Sequence, residues 1–160
     1  MTELLVFTFK DGLLSRIAHD LKIEAERVML SRDGASLTVT APARGLKVRC
    51  AMKRGREDHR ALSASQRGEI ESLIYETILD AERYPEILFT GTIQDASVSG
   101  VLTIRGTSQA LTLPWNPSRG VITGEITIDQ RCFGISPYRA MMGAIKLKPA
   151  LRIVWRTPVV

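Results

Sequence analysis

Histidine and cysteine, whose ordinary pKa values lie closest to neutral pH, are few in this chain: two histidines, His19 and His59, and two cysteines, Cys50 and Cys132. A cysteine nucleophile needs a base to activate it, and a zinc site needs ligands at short, paired spacings. The cysteines form no Cys-x-x-Cys pair or other zinc spacing, and nothing in the sequence marks either thiol as activated. The sequence therefore predicts a protein that is not an enzyme, with no catalytic residue, no metal and no cofactor.

His19 is the more informative of the two histidines because it shares one parity with Leu21, Ile23 and Ala25, while charged residues occupy the other parity. This alternation predicts a half-buried strand with the imidazole on its apolar face. His19 would then contact the polar head of a ligand, or it would be a core side chain whose hydrogen bond fixes a short helical turn over residues 13 to 18. The sequence favours the second interpretation and leaves the first open.

His59 lies in a charged stretch, residues 53 to 60, with the basic residues Lys53, Arg54, Arg56 and Arg60. Such a run either attracts a phosphate or an anionic membrane surface, or it is a solvated loop. The sequence favours the loop and leaves a transient membrane-surface contact open. No aromatic residue interleaves with the run, so nucleic acid is not an expected partner.

The composition predicts one globular domain over residues 1–160, because 44% of the residues are hydrophobic, 24% are charged and the net charge is +5. No apolar run reaches membrane-spanning length. The amino-terminal stretch MTELLVFTFKDG lacks a basic leader, so we expect a bacterial-type cytoplasmic protein with free thiols. A homodimer and a monomer both remain open.

Period-two alternation dominates the chain, and it predicts strands with a parity change near residues 26–27 that suggests a bulge. Asp33-Gly34 is a hairpin signal, and residues 131 to 143 are expected to form an irregular crossover. The predicted strands cover residues 3–10, 19–30, 36–42, 45–53, 86–94, 97–105, 109–114, 120–129 and 146–156.

The pattern changes to helical spacing only once, over residues 66–83. Ser63 and Gln66 resemble a capping box, and Pro85 is expected to end the helix. We therefore predict a mainly β protein, an antiparallel barrel of about eight strands with one inserted helix. A barrel of that size either fills with side chains or holds one slim ligand.

The interior of this barrel is predicted from strand parity, with Phe89 pointing inward. Leu46, Val48, Cys50 and Met52 are all predicted to face in, so the Cys50 thiol would be buried and inert. Gly91, Gly100 and Gly124 would either leave room for a ligand tail or relieve strain at bends. The other predicted inward residues are Leu21, Ile23, Leu37, Val39, Leu46, Val48, Leu102, Ile104, Ile126, Ile128, Leu151 and Ile153.

Several segments, in order, resemble the YceI-like family: GLLSRIAHDLKI (12–23), LDAERYPEILFTGTI (79–93), GVLTIRGTSQALTLP (100–114) and RCFGISPYRAMMGAIKLKPALRIVW (131–155). The resemblance implies a lipocalin-like antiparallel barrel with an elongated apolar interior. It also implies a carrier of a polyisoprenoid, an isoprenoid quinone or a fatty-acid-like amphiphile. Many relatives are periplasmic, in contrast to the cytoplasmic location expected for this chain.

The leading hypothesis is therefore a non-catalytic carrier whose partner is an apolar lipid. A scaffold module with a side-chain-filled barrel, and a small enzyme using His19 or Cys132, are the alternatives. The crossover side chains would form a flexible cavity mouth or pack under a loop. The candidate ligand contacts are His19, Leu21, Ile23, Val48, Phe89, Leu102, Ile104, Phe133, Tyr138, Met141 and Met142.

Overall fold

Two antiparallel sheets surround one apolar interior in the computed structural model, which describes residues 1–11, 18–143 and 145–160. The strands in these ranges are β1 (Glu3–Thr8), β2 (Asp20–Ala25), β3 (Met29–Asp33), β4 (Ser36–Pro42), β5 (Leu46–Lys53), β6 (Arg56–Asp58), β7 (Glu86–Gln94), β8 (Ser97–Ile104), β9 (Thr107–Pro114), β10 (Asn116–Ser118), β11 (Val121–Asp129), β12 (Arg139–Ala140), β13 (Ile145–Lys146) and β14 (Ala150–Pro158).

The seven-stranded sheet has the order β10-β11-β14-β1-β2-β5-β6, and the five-stranded sheet has the order β3-β4-β7-β8-β9. The chain passes between the sheets from β2 to β3 and from β4 to β5, and β9 contacts β11 along one seam. The strands β12 and β13 form a separate short ribbon. One helix, α1 (Ala64–Leu73), continues as a π-helical turn over Ile74–Ile78 and packs against β5.

The predicted fold class is confirmed: the protein is mainly β and antiparallel, with one inserted helix. Strands 36–42 and 86–94 have their predicted bounds, and the Asp33-Gly34 hairpin forms with Gly34 at φ +59°. Short strands that the alternation did not reveal, such as β6 and β10, bring the count above the expected eight.

The helix begins and ends earlier than its predicted range of 66–83. Ser63 caps it as expected: its Oγ accepts from the Gln66 backbone N–H at 3.1 Å, and Gln66 Oε1 accepts from the Ser63 N–H at 2.9 Å. The end is set by Asp80, which adopts a left-handed φ of +48° while the Ala81 N–H bonds the Tyr75 carbonyl at 2.7 Å. The left-handed Asp80 ends the helix five residues before Pro85, so Pro85 does not stop it.

The predicted strand over residues 19–30 is two strands in different sheets. β2 ends at Ala25, Arg27 takes a positive φ of +57°, and β3 starts at Met29 in the other sheet. The parity change is therefore a crossing between sheets, and the expected bulge at residues 26–27 is wrong.

A register shift occurs instead between β2 and β5, where Lys22 pairs with Cys50 and Ile23 pairs with Val48. Arg49 is the extra residue, so Val48 and Cys50 point to opposite faces. Cys50 is buried as predicted, with 1% exposure, but it lies on the outer face together with Lys22. The prediction that residues 46, 48, 50 and 52 share the inner face is therefore wrong.

Two further expectations concern the segment before β2 and possible membrane-spanning helices. The helical turn predicted over residues 13 to 18 lies outside the described residues, apart from Ala18, which is buried. In the described ranges, no helix has the length and apolar character needed to cross a bilayer.

Candidate functional site

A cavity of about 670 Å³ lies between the two sheets and the helix. This volume is in the range of small-molecule binding sites, and the wall is mostly aliphatic. Strand residues of both sheets contribute, among them Leu4, Val6, Leu37, Val39, Leu111, Leu113, Ile122, Ile126, Ile128, Leu151 and Ile153. The helix adds Ile70, Leu73, Ile74 and Ile78. The barrel interior is therefore a space that the side chains do not fill.

Most of the predicted ligand contacts line this cavity. They are His19, Leu21, Ile23, Phe89, Leu102, Ile104, Phe133 and Tyr138. Whether they contact a ligand stays a prediction, but their inward orientation agrees with the parity argument.

Val48, Met141 and Met142 are not part of the cavity wall. Val48 is buried at 4% exposure, and its N–H lies 3.4 Å from Glu71 Oε2 of the helix, which covers this part of β5. Met141 and Met142 are 62% and 107% exposed. These two methionines therefore do not pack under a loop, and their predicted contact with a ligand at a flexible cavity mouth stays a prediction.

Phe89 is 6% exposed, and its ring lies over two glycines that face each other on β7 and β8. A Cβ on Gly91 would approach Phe89 Cζ to 3.0 Å, and a Cβ on Gly100 would approach the same atom to 2.7 Å. These glycines accommodate a ring close to the sheet. That role differs from both expectations for them, an open space for a ligand tail and a bend.

The third of these glycines, Gly124, accommodates the Trp155 ring in the same way. A Cβ on Gly124, the neighbour of Trp155 on β11, would lie 2.4 Å from Trp155 Cζ2. The indole therefore lies close to the sheet and still contributes to the cavity wall.

We call one end of the cavity the His19 end, after Thr8, His19 and Tyr138, which line it. Thr8 is 8% exposed, and its Oγ1 has no hydrogen-bond partner in the described part of the chain. The half-buried imidazole of His19 also makes no hydrogen bond to a described residue. Because buried hydroxyl groups are normally paired, this end can accept a polar group.

We call the opposite end the Thr157 end, after Thr2, Thr157 and Trp155. Thr157 is 3% exposed, and its Oγ1 lies 2.7 Å from Thr2 Oγ1, within hydrogen-bond distance. The buried Trp115 adds a second indole to this wall, and the Arg32 guanidinium lies 5.8 Å from its ring centre on the outside. The Thr157 end thus pairs its hydroxyl groups internally and offers apolar surface.

Cys50, Glu57 and His59 form a separate cluster on the outer face, with candidate ligand atoms all within 4.8 Å of one another. Its residue types could hold a zinc ion. However, Glu57 already bonds Lys22 and lies 2.9 Å from His59 Nε2, which lowers the pKa of Glu57 and raises that of Lys22. Burial raises the pKa of the Cys50 thiol. The cluster is therefore best described as an ion pair of Lys22 and Glu57, with His59 within hydrogen-bond distance of Glu57, beside a buried thiol.

Cys132, the second candidate nucleophile, is exposed and does not line the cavity. Its backbone carbonyl accepts a hydrogen bond from Gln109 Nε2 at 2.8 Å. A pair between His19 and Cys132 inside the cavity is thus not supported by their positions.

Sequence reasoning missed Thr8 and Thr157 as features of the site. Thr8 shares the parity of Leu4 and Val6 on β1, so its inward orientation was available from the pattern. The pairing of Thr157 with Thr2 joins residues far apart in the chain and has no local signal.

Comparison with known proteins extends this description. A sequence profile of the YceI-like domain matches residues 11–154. No curated protein sequence matches the chain. The crystal structure of BcnA from Burkholderia cenocepacia is similar to this chain with a TM-score of 0.65 and 15% identity, over 99% of this chain and 96% of that chain.

A polyisoprenoid binding domain from Saccharophagus degradans, implicated in plant cell wall breakdown, is also similar in structure. Its TM-score is 0.65 at 7% identity, over 99% of this chain and 94% of that chain. At these identities the likeness shows the fold, and it agrees with the two-sheet architecture described above.

Proposed function

The chain belongs to the YceI-like domain family, and on that premise we propose that it is a non-catalytic carrier of a long apolar amphiphile. The ligand class is a polyisoprenoid, an isoprenoid quinone or a fatty-acid-like lipid. The observation that carries the proposal is the cavity of about 670 Å³, whose wall is mostly apolar. A structurally similar protein is described as a polyisoprenoid binding domain, which supports the ligand class.

The polarity of the two ends supports an amphiphile over a plain hydrocarbon. We infer that the polar head lies at the His19 end, where the Thr8 hydroxyl has no described partner. The tail extends toward the Thr157 end, where the hydroxyl groups of Thr2 and Thr157 are paired with each other. A head group that bonds Thr8 would remove the free-energy cost of burying an unpaired hydroxyl.

The two alternative functions fit the positions of the residues less well. A scaffold module with a filled barrel does not account for an interior space of this volume. An enzyme would need a nucleophile near His19, and Cys132 lies on the surface outside the cavity wall.

Native mass spectrometry of the protein incubated with a long-chain polyprenol tests the proposal. We expect one bound polyprenol in the wild-type protein. Ile126→Trp would fill the cavity from the β11 wall and remove most of the adduct. Thr127→Trp is the matched control, because the neighbouring residue is exposed on the outer face and should leave the adduct unchanged.

Two results would overturn the proposal. One is a wild-type protein that holds neither the polyprenol nor an isoprenoid quinone nor a long-chain fatty acid. The other is an Ile126→Trp variant that folds and binds as the wild type does, since the lipid would then lie outside the cavity.

A further inference from the structure

Two adjacent methionines project from the tip of the β12–β13 ribbon. Met141 and Met142 are 62% and 107% exposed and take left-handed φ values of +51° and +56°. The short β12–β13 pairing, Arg139 with Lys146 and Ala140 with Ile145, forms the base of this tip. Adjacent exposed apolar side chains can mark a site of contact with a partner or a membrane.

The ribbon lies beside the His19 end of the cavity. The Leu147 N–H bonds the Tyr138 carbonyl at 3.1 Å, and Leu147 also forms a bridge with Lys10, just after β1. The side chains of Tyr138, Ile145 and Leu147 line the cavity. The base of the ribbon is thus part of the cavity wall, and its tip extends into solvent.

Several cations lie on or beside this ribbon. Among the described residues, no carboxylate oxygen lies within salt-bridge distance of the side-chain nitrogens of Lys10, Arg139 or Lys148, although Asp20 Oδ1 accepts from the Lys10 backbone N–H at 2.7 Å. Lys146 Nζ lies 3.7 Å from Asp11 Oδ2. The charge around the methionines is therefore mainly positive.

The strand register brings a second basic segment to the same end of the seven-stranded sheet. Asp20, next to His19, pairs with Met52, so the turn that follows β5 carries Lys53, Arg54 and Arg56 at this end. In the part of the chain that the structure describes, none of these three cations has a carboxylate partner. This turn and the ribbon are far apart in sequence and share one end of the fold.

We propose that this end of the protein docks on an anionic lipid bilayer. Met141 and Met142 insert among the acyl chains, and the two basic segments contact the lipid head groups. The inference rests on the proposed function, because a carrier of a water-insoluble lipid must collect it from a membrane. Charge complementarity and an apolar tip next to the cavity favour a bilayer as the partner.

Co-sedimentation with vesicles of phosphatidylcholine, with and without phosphatidylglycerol, tests the docking. We expect binding to the anionic vesicles, weakened by salt, and little binding to pure phosphatidylcholine. Met141→Ser/Met142→Ser should lower the partition coefficient about tenfold or more, since both side chains lose their apolar contact with the bilayer. Met29→Ser is the control, because Met29 is 71% exposed but lies on β3 of the other sheet.

A charge variant gives an independent measurement. Arg139→Gln/Lys148→Gln should weaken binding to anionic vesicles by about fivefold for each cation removed. Arg119→Gln is the matched control, because Arg119 precedes β11 at the opposite end of the seven-stranded sheet. Equal binding to neutral and anionic vesicles, or wild-type binding by both double variants, would overturn the docking proposal.

Failure of docking and failure of the carrier function give different results. If the protein holds polyprenol in native mass spectra but does not bind vesicles, only the docking proposal is contradicted. A protein that binds anionic vesicles through the methionines but never holds a lipid contradicts the carrier function. The methionine double variant should still take up polyprenol from solution, because neither side chain lines the cavity.

Discussion

The two ends of the cavity contain the same side chain, a buried threonine, in different hydrogen-bonding states. At the His19 end, Thr8 Oγ1 has no partner among the described residues. At the Thr157 end, Thr157 Oγ1 lies 2.7 Å from Thr2 Oγ1. A paired hydroxyl stabilises the fold, whereas an unpaired one costs free energy until a ligand bonds it. The difference indicates which end serves the fold and which end serves the ligand.

Phe89→Ala should have the largest effect on stability, because Phe89 packs between the two ends and is 6% exposed. We expect the free energy of unfolding to fall by ~3–5 kcal/mol, measured by urea denaturation. A cost below ~1 kcal/mol would mean that the ring contributes mainly to the cavity wall and gains little from packing against Gly91 and Gly100.

Gly124→Ala should perturb the Thr157 end alone. The new Cβ would lie 2.4 Å from Trp155 Cζ2, so the indole must move, and we expect a loss of ~1–3 kcal/mol by the same denaturation assay. Polyprenols with the longest tails should be lost first in native mass spectra. Gly68→Ala is the control, since its Cβ would have nothing within 4 Å, and in a helix alanine adds up to ~1 kcal/mol. Unchanged stability for Gly124→Ala would show that the indole is free to move.

His19→Ala should affect the ligand more than the fold. The sequence favours a structural hydrogen bond for His19, but the imidazole bonds no described residue and lines the cavity. We expect lipid affinity to fall about tenfold, by ~1.4 kcal/mol, with little change in unfolding. The opposite result, a less stable protein with unchanged affinity, would restore the structural interpretation.

Thr8→Val and Thr157→Val should change stability in opposite directions in the ligand-free protein. Valine has nearly the shape of threonine, so the main change is the lost hydroxyl. We expect Thr8→Val to raise the free energy of unfolding by up to ~1 kcal/mol and Thr157→Val to lower it by ~1 kcal/mol. Thermal unfolding of both variants, with and without polyprenol, provides the test. If both substitutions change the free energy of unfolding in the same direction, the two ends do not differ in the way described.

Asp129→Asn should have the smallest effect, and only on the acid side. Asp129 precedes Gln130, which lines the cavity, and bonds to the Arg131 side chain lower the pKa of Asp129. Because the folded-state pKa is lowered, the stability that this carboxylate contributes is fully present at pH values above the unfolded-state pKa. It is lost as pH falls through the folded-state pKa, below about pH 4. Denaturation midpoints measured against pH should therefore show a weaker acid dependence in Asp129→Asn than in the wild type. An identical profile would mean that this surface pair adds nothing measurable.

Much of the architecture was predictable because local patterns determine it. Period-two alternation located β4 and β7 with their observed bounds, and the Ser63–Gln66 box located the start of the helix to within two residues. The inward orientation of Phe89 followed from the same parity rule.

Other features depend on contacts that a local pattern does not contain. The break in alternation at Arg49 comes from the register shift between β2 and β5, and it places Cys50 on the outer face. The hairpins that contain β6 and β10 turn at Arg-Gly pairs, 54–55 and 119–120, and not at the usual Asn-Gly or Asp-Gly signals. Which threonine is paired at the site depends on residues 155 positions apart, Thr2 and Thr157.

The Arg-Gly turns also bear on how this chain could be made more robust. Arg54, Arg105 and Arg119 all have φ near +50° and precede a glycine in a tight hairpin. Left-handed backbone is unfavourable for arginine and better tolerated by asparagine. The tips of these hairpins therefore retain positive charge where a stability-optimised sequence would place Asn-Gly. Replacing these arginines with asparagine should therefore stabilise the hairpins without altering any residue that lines the cavity.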